Sequence, residues 1–213
     1  RRGMVVEKKD RVELPENTVK SGMMSKKIRV GLDFDGVVAY NPFRVVRAPV
    51  AMVKKKIFRE KKLKFLIPAN KWQRMIWSVV FGSSMLPAQG VELLREMATD
   101  PRWEFHLVTA RFSFLQDDLA KWLNKNGLTD VFKTINLNKK DDQPHLFKEE
   151  IMKRLNVHYF VDDNLDIVEY LAKKKNAKIY WIYNFIDRSY PYEFKYPYLE
   201  KALRGIATNE DTF

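Results

Sequence analysis

The sequence predicts an α/β protein, a Rossmann-like parallel sheet with a helical cap inserted after the first strand. From Lys27 onward, short apolar runs alternate with segments of helical periodicity, the pattern of strand–helix–strand crossovers. Three of the apolar runs end in Asp or Thr, as strands do when their carboxyl ends line a site. A stretch of different composition interrupts the alternation directly after the first run. At 213 residues and 46% hydrophobic content, the chain has enough apolar material for one generous domain, or one carrying an insertion.

Residues 1–25 mix charges with sparse apolar side chains and show no signal-peptide core, so they are expected to be a disordered tail. MSKKIRV at Met24 reads as a natural start, with the preceding residues an upstream extension. The first strand is Ile28 to Leu32, ending in Asp33. Residues 41–87 form the expected cap. Between positions 41 and 88, eleven basic residues stand against Glu60, a surplus of +10 within a chain of net charge +12. Trp72, Met75, Ile76, Val79 and Val80 recur at helical spacing there, whereas Pro42, Pro49 and Pro68 break the segment into pieces.

The core is expected to comprise 26–40 and 88–213. A helix over Ala88 to Ala98 leads to a strand over Trp103 to Val108, ending in Thr109. Leu115, Leu119, Trp122 and Leu123 mark the next helix, stopped by Gly127. VFKTI (Val131 to Ile135) is a weaker strand. After the polar NLNKKDDQP loop, Phe147, Ile151 and Leu155 share one helix face. HYFV (His158 to Val161) then ends in Asp162 and Asp163, LDIVEYLAKKK reads as a helix, and KIYWIY (Lys178 to Tyr183) as a further strand.

Zero cysteines exclude disulfides, thiolate metal sites, iron–sulfur clusters and a cysteine nucleophile, and fit a reducing compartment, so the cytoplasm is expected. No run reaches the roughly 20 apolar residues that a bilayer demands. His106, His145 and His158 lack metal-ligand spacing and read as core or surface residues. The available chemistry therefore rests on oxygen and nitrogen groups.

In a parallel sheet, Asp33 and Asp35, Thr109, and Asp162 and Asp163 converge beyond the strand ends. Lys148 belongs to a helix that must begin on that same side, and Lys139 and Lys140 lie in the loop there. Each residue also has a plainer reading. The first acids would be turn residues, Thr109 or the second acids would be helix caps, and Lys148 would be a solvated helix lysine. Arg111 reads equally as a substrate contact or as a surface ion pair.

VGLDFDGVV, FHLVTAR and YFVDDN, in this order, resemble three motifs of the haloacid dehalogenase-like phosphatase superfamily. The fourth motif, a lone Lys, falls on Lys148, with Lys139 and Lys140 as alternatives. The resemblance runs from Lys27 to about Tyr183. It implies hydrolysis of a phosphomonoester through an aspartyl-phosphate, with Asp33 as nucleophile and Asp35 as general acid and base. It implies Mg²⁺ held by Asp33, the Asp35 backbone carbonyl and Asp162, with Asp163 orienting behind them. Thr109, Ala110, Lys148 and Gly36 would bind the phosphate.

The TAR after the second strand and the closing IYNFIDRSYP are similar to nucleotidases of the deoxyribonucleotidase kind and to polynucleotide phosphatases. A small phosphorylated substrate, a nucleotide or other metabolite, is the first expectation. The basic cap gives the alternatives: a solvated or steering face, a nucleic-acid groove serving an end phosphatase or a binding module, and a membrane-surface patch for a lipid-linked phosphate.

Overall fold

In the computed structural model, residues 27–41, 70–73, 75 and 86–210 are described. The expected tail and most of the expected cap lie outside them. Strand β1 (Ile28–Leu32) is the centre of the structure. It is followed by β2 (Ala39–Tyr40), β3 (Leu86–Pro87), α1 (Val91–Thr99), β4 (Trp103–Thr109) and α2 (Gln116–Lys125). The chain continues through β5 (Thr134–Leu137), α3 (Pro144–Leu155), β6 (Tyr159–Asp162), α4 (Leu165–Ala172), β7 (Lys178–Ile182), β8 (Lys195–Tyr196) and α5 (Leu199–Glu210).

Six strands form one parallel sheet in the order β5-β4-β1-β6-β7-β8. The chain leaves β1 for β4 and β5 on one side, then crosses to β6 on the other. That reversal opens a crevice beyond the carboxyl end of β1. Strand periodicity assigns the two faces. Val30 and Leu32 of β1 join Phe105, Leu107, Tyr159 and Val161 in a core covered by α1, α2 and α5. Phe160, Ile179 and Trp181 face α3 and α4, packing on Phe147, Ile151, Ile167 and Leu171. Gly31 lies on this second face, where a Cβ would stand 2.6 Å from the Phe160 ring.

Strands β2 and β3 pair antiparallel, Ala39 with Pro87 and Tyr40 with Leu86. The insertion thus leaves and re-enters the core at one point. Within it, residues 71–73 and 75 are helical, in keeping with the spacing of Trp72 and Met75, while Ile76, Val79 and Val80 lie outside the described residues.

Three of the four differences from expectation have physical causes, and the fourth, α5, has none. β5 begins at Thr134 rather than Val131, because Phe132 drops into the core from a turn and Lys133 makes the first bond, its N–H donating to the Phe105 carbonyl at 2.8 Å. α1 starts at Val91 rather than Ala88, since Gly90 sits at φ 113° and holds the preceding residues in a turn. The two-residue strands β2, β3 and β8 are too short for any period to show. α5 went unread although Leu199, Ala202, Leu203 and Ile206 recur at i, i+3, i+4 and i+7 and are all buried.

Candidate active site

The two-residue period of the strands fixes which acids meet. Asp33 continues the Gly31 side of β1, and Asp162 continues the Phe160 side of β6; both therefore face α3. Pro144 supplies the first turn of α3, whose entry lies at the carboxyl end of the sheet, and Lys148 stands one turn further in. Its ammonium bridges the two carboxylates, 2.7 Å from Asp162 Oδ2 and 3.1 Å from Asp33 Oδ2. All three side chains are buried. The Asp33 N–H also donates to the Val161 carbonyl at 3.0 Å, which ties the end of β1 to β6.

Asp163 completes the acidic group. Carboxylate oxygens of Asp33, Asp162 and Asp163 all lie within 4.8 Å of one another. Such a set of hard oxygen donors suits a divalent cation of the Mg²⁺ or Ca²⁺ type. Asp163 is thus close enough to be a candidate ligand as well. Neither acid caps α4. That task falls to Asn164, whose Oδ1 accepts from the N–H groups of Asp166 and Ile167. The Asn164 N–H in turn donates to Asp162 Oδ1 at 2.9 Å, which orients that carboxylate.

Charge is not balanced here. Burial, together with Asp162, Asp163 and Asp35, raises Asp33 to about 8 against the lowering influence of Lys148. Burial also works against the Lys148 charge, but Asp162 and Asp33 outweigh it and hold the ammonium above its ordinary range. One ammonium serves several acids, and burial makes Asp33 hold a proton more tightly than a free carboxylate does.

Asp35 has a different partner. Arg111 Nε donates to its Oδ2 at 2.8 Å and Nη2 to its Oδ1 at 2.7 Å, a side-on bidentate pair with both residues buried. The reading of Arg111 as a surface ion pair is corrected on this point: the pair is internal. The guanidinium lies over the Phe34 ring, 4.5 Å from its centroid, and that ring meets Trp122 edge-on at 4.9 Å. The sequence shows an Arg two residues beyond a strand end and an aromatic between the two acids, which brings the three together without fixing which acid the Arg takes.

Gly36 turns the chain after Asp35. Its φ of 82° is left-handed, and its N–H donates to the Ala39 carbonyl at 2.7 Å. Thr109 ends β4 fully buried, and its hydroxyl accepts from the Arg111 N–H at 3.3 Å; Ala110 follows, half-buried. Lys139 and Lys140 are exposed on the loop after β5, so Lys148 is the lysine that joins the cluster. That loop is tied to the one after β4 by Asp141, which accepts from the Ser113 N–H and hydroxyl at 2.8 and 3.0 Å. His106 and His145 are buried, whereas His158 is half-buried. His106 lies between Glu104 and Thr134, His145 packs edge-on against Tyr170, and His158 Nδ1 accepts from the Arg29 N–H.

No protein-family model and no curated protein matches the chain. Solved structures do. A β-phosphoglucomutase from Clostridium difficile aligns at a TM-score of 0.55 and 14% identity, over 88% of this chain and 98% of its own. The magnesium-bound putative HAD-hydrolase YfnB from Bacillus subtilis gives 0.54 and 12%, covering 86% and 99%. CbbY from Rhodobacter sphaeroides, solved in complex with phosphate, gives 0.52 and 13%, covering 81% and 95%. The chain shares the haloacid dehalogenase-like fold of these proteins. Among the described residues, no helix is long and apolar enough to cross a membrane.

Proposed function

We propose that this chain is a Mg²⁺-dependent phosphomonoester hydrolase working through a phosphorylated Asp33. The observation that carries the reading is the buried Lys148 bridging Asp33 and Asp162 beside Asp163, in the crevice where the sheet reverses its order. A structural ion pair needs one acid per lysine, and a third carboxylate turned toward the same point raises the cost of burial. Such an arrangement suits a divalent cation and an anionic substrate. The shared fold with a magnesium-bound hydrolase and a phosphate-bound protein supports the same reading.

Asp33, Asp162 and Asp163 would hold Mg²⁺, which supplies positive charge against which an anionic phosphate can approach. In the first half-reaction an Asp33 oxygen forms a bond to phosphorus as the ester P–O bond breaks. The bonding pair leaves with the alcohol oxygen, which takes a proton from Asp35. In the second, Asp35 takes a proton from water while the water oxygen bonds to phosphorus, releasing inorganic phosphate and regenerating the Asp33 carboxylate. Lys148 and the Thr109 hydroxyl stabilise charge on the transferring oxygens, with Gly36 and Ala110 permitting close backbone approach.

The substrate proposed first is a nucleotide or another small phosphorylated metabolite in a reducing compartment such as the cytoplasm. Residues 41–87 act as the cap, on the strength of their shared exit and re-entry at the β2–β3 ribbon. The +10 charge of residues 41–88 favours a second reading, a phosphatase of nucleic-acid ends, over one directed at lipid-linked phosphate. Phosphate release is to be measured across nucleotides, sugar phosphates, end-phosphorylated oligonucleotides and lipid head groups, with Mg²⁺ and with chelator. Release requires Mg²⁺ and disappears in Asp33→Asn with the fold intact; turnover unchanged in that variant rules out Asp33 as nucleophile. Steep salt dependence confined to oligonucleotides selects the second reading.

A further inference from the structure

We propose that Trp181 is a positioning residue for the acidic pair Asp162–Asp163, its indole N–H holding the bend of chain that lets two consecutive acids face one cation. The inference rests on the hydrolase reading, in which both acids hold Mg²⁺, and extends it to a core strand that supplies no ligand. Along a strand, neighbouring side chains point to opposite faces. Asp162 is the last residue of β6 and Asp163 is the next, so a chain continuing straight would carry their carboxylates apart. Their oxygens nevertheless lie within 4.8 Å of one another and of Asp33. The chain bends at Asp163, which makes this possible.

Two bonds hold the bend. The Asn164 N–H closes on Asp162 Oδ1 at 2.9 Å, and Trp181 Nε1 donates to the Asp163 carbonyl at 3.2 Å. Trp181 is paired in register with Asp162 across β6 and β7 and shares its face of the sheet, so the indole stands beside the turn. The ring has little freedom to follow a displaced carbonyl. It is fully buried, Tyr183 and Tyr192 meet it edge-on at 6.1 Å each, and its backbone N–H is committed to the Phe194 carbonyl at 2.8 Å. The Tyr192 hydroxyl is itself anchored on the Ile179 carbonyl at 2.9 Å. A buried indole N–H needs an acceptor. The acceptor here is the peptide group of a candidate cation ligand, and fixing that peptide fixes where the Asp163 side chain starts.

The test measures Mg²⁺ binding by calorimetry on the full chain without substrate, in wild type, Trp181→Phe, a protein carrying 3-benzothienylalanine at position 181, and Ile179→Val. Benzothienylalanine keeps the two-ring shape and puts sulfur where the N–H was. Ile179→Val thins the same core face of the same strand and leaves the indole bond in place. Groups that orient a metal ligand are worth about 10- to 100-fold in affinity. The Mg²⁺ dissociation constant rises about tenfold in both position-181 proteins, the low end of that range because Asn164 still holds the bend, and does not move in Ile179→Val. The benzothienyl protein decides alone if Trp181→Phe does not fold. If it binds Mg²⁺ as wild type does, or if Ile179→Val loses as much affinity, the indole bond has no positioning role and the hydrolase reading stands. A wild type that binds no Mg²⁺ removes both.

Discussion

Replacing Lys148 by Met shortens the side chain by one atom and deletes its charge. Asp33 and Asp162, 3.1 and 2.7 Å from the ammonium, are then left facing each other in a buried site. Removing one partner of a buried ion pair costs about 3–5 kcal/mol, because the remaining charge has lost both water and counter-ion. In a domain of this size each kcal/mol moves the melting temperature by about 2–4 °C, so Lys148→Met should melt about 6–20 °C below wild type in chelator.

The loss has a sign in pH. Without the lysine, the acids bind protons more tightly folded than unfolded, so the penalty is absent below their ordinary range and grows as pH rises through it. The gap between variant and wild type therefore widens from pH 5 to pH 8. Mg²⁺ then distinguishes a site from a mere ion pair. In the variant a cation finds the acids free of the competing ammonium, and the melting temperature rises more on adding Mg²⁺ than it does in wild type. Thermal unfolding with Mg²⁺ and with EDTA measures all three effects. A variant melting with wild type in EDTA, or gaining no more from Mg²⁺ than wild type gains, refutes the reasoning.

The burial of Asp33 and the close approach at Gly90 give three further outcomes. Asp33, held at about 8 chiefly by burial, takes up a proton on folding, so metal-free protein loses stability as pH rises from the ordinary carboxylate range toward 8. Mg²⁺ binding expels that proton at pH 7, and calorimetry in buffers of different ionisation enthalpy reads about one proton released; buffer-independent heats contradict this. Gly90→Ala is expected to cost about 2–5 kcal/mol in urea denaturation, from a left-handed φ of 113° and a Cβ placed 2.2 Å from the Glu200 backbone nitrogen. A cost below about 1 kcal/mol would mean that α5 can shift away from α1.

The sequence revealed the acidic cluster because its placement depends on strand ends and little else. An apolar run followed by Asp identifies the carboxyl end of a parallel strand, and the two-residue period puts Asp33 and Asp162 on the face that α3 covers. Lys148 was legible for a related reason, since a helix that precedes a parallel strand must begin at that end. What escaped was of three kinds. The ribbon of β2 and β3, and edge strand β8, are two residues long and hold their place through partners distant in sequence. Asn164 was hidden by its acidic neighbours, although an Asn directly before an apolar helical run is itself a capping signal.

Arg111 escaped for a deeper reason. Periodicity tells which face a side chain takes, but not which of several nearby charges it will choose. Asp33 and Asp35 stand one residue apart, and their separation is reinforced by everything around them: Lys148 arrives from α3 on one, Arg111 from beyond β4 on the other, and Phe34 lies between. Two chemically identical carboxylates can take different roles only if their surroundings differ. Here a compact ammonium shared with other acids leaves Asp33 open to exchange its partner for a metal and a phosphate. A planar fork committed to both oxygens keeps Asp35 in place. The division of labour between the two acids thus lies less in the motif that carries them than in the two cations, from separate elements, that the fold delivers to it.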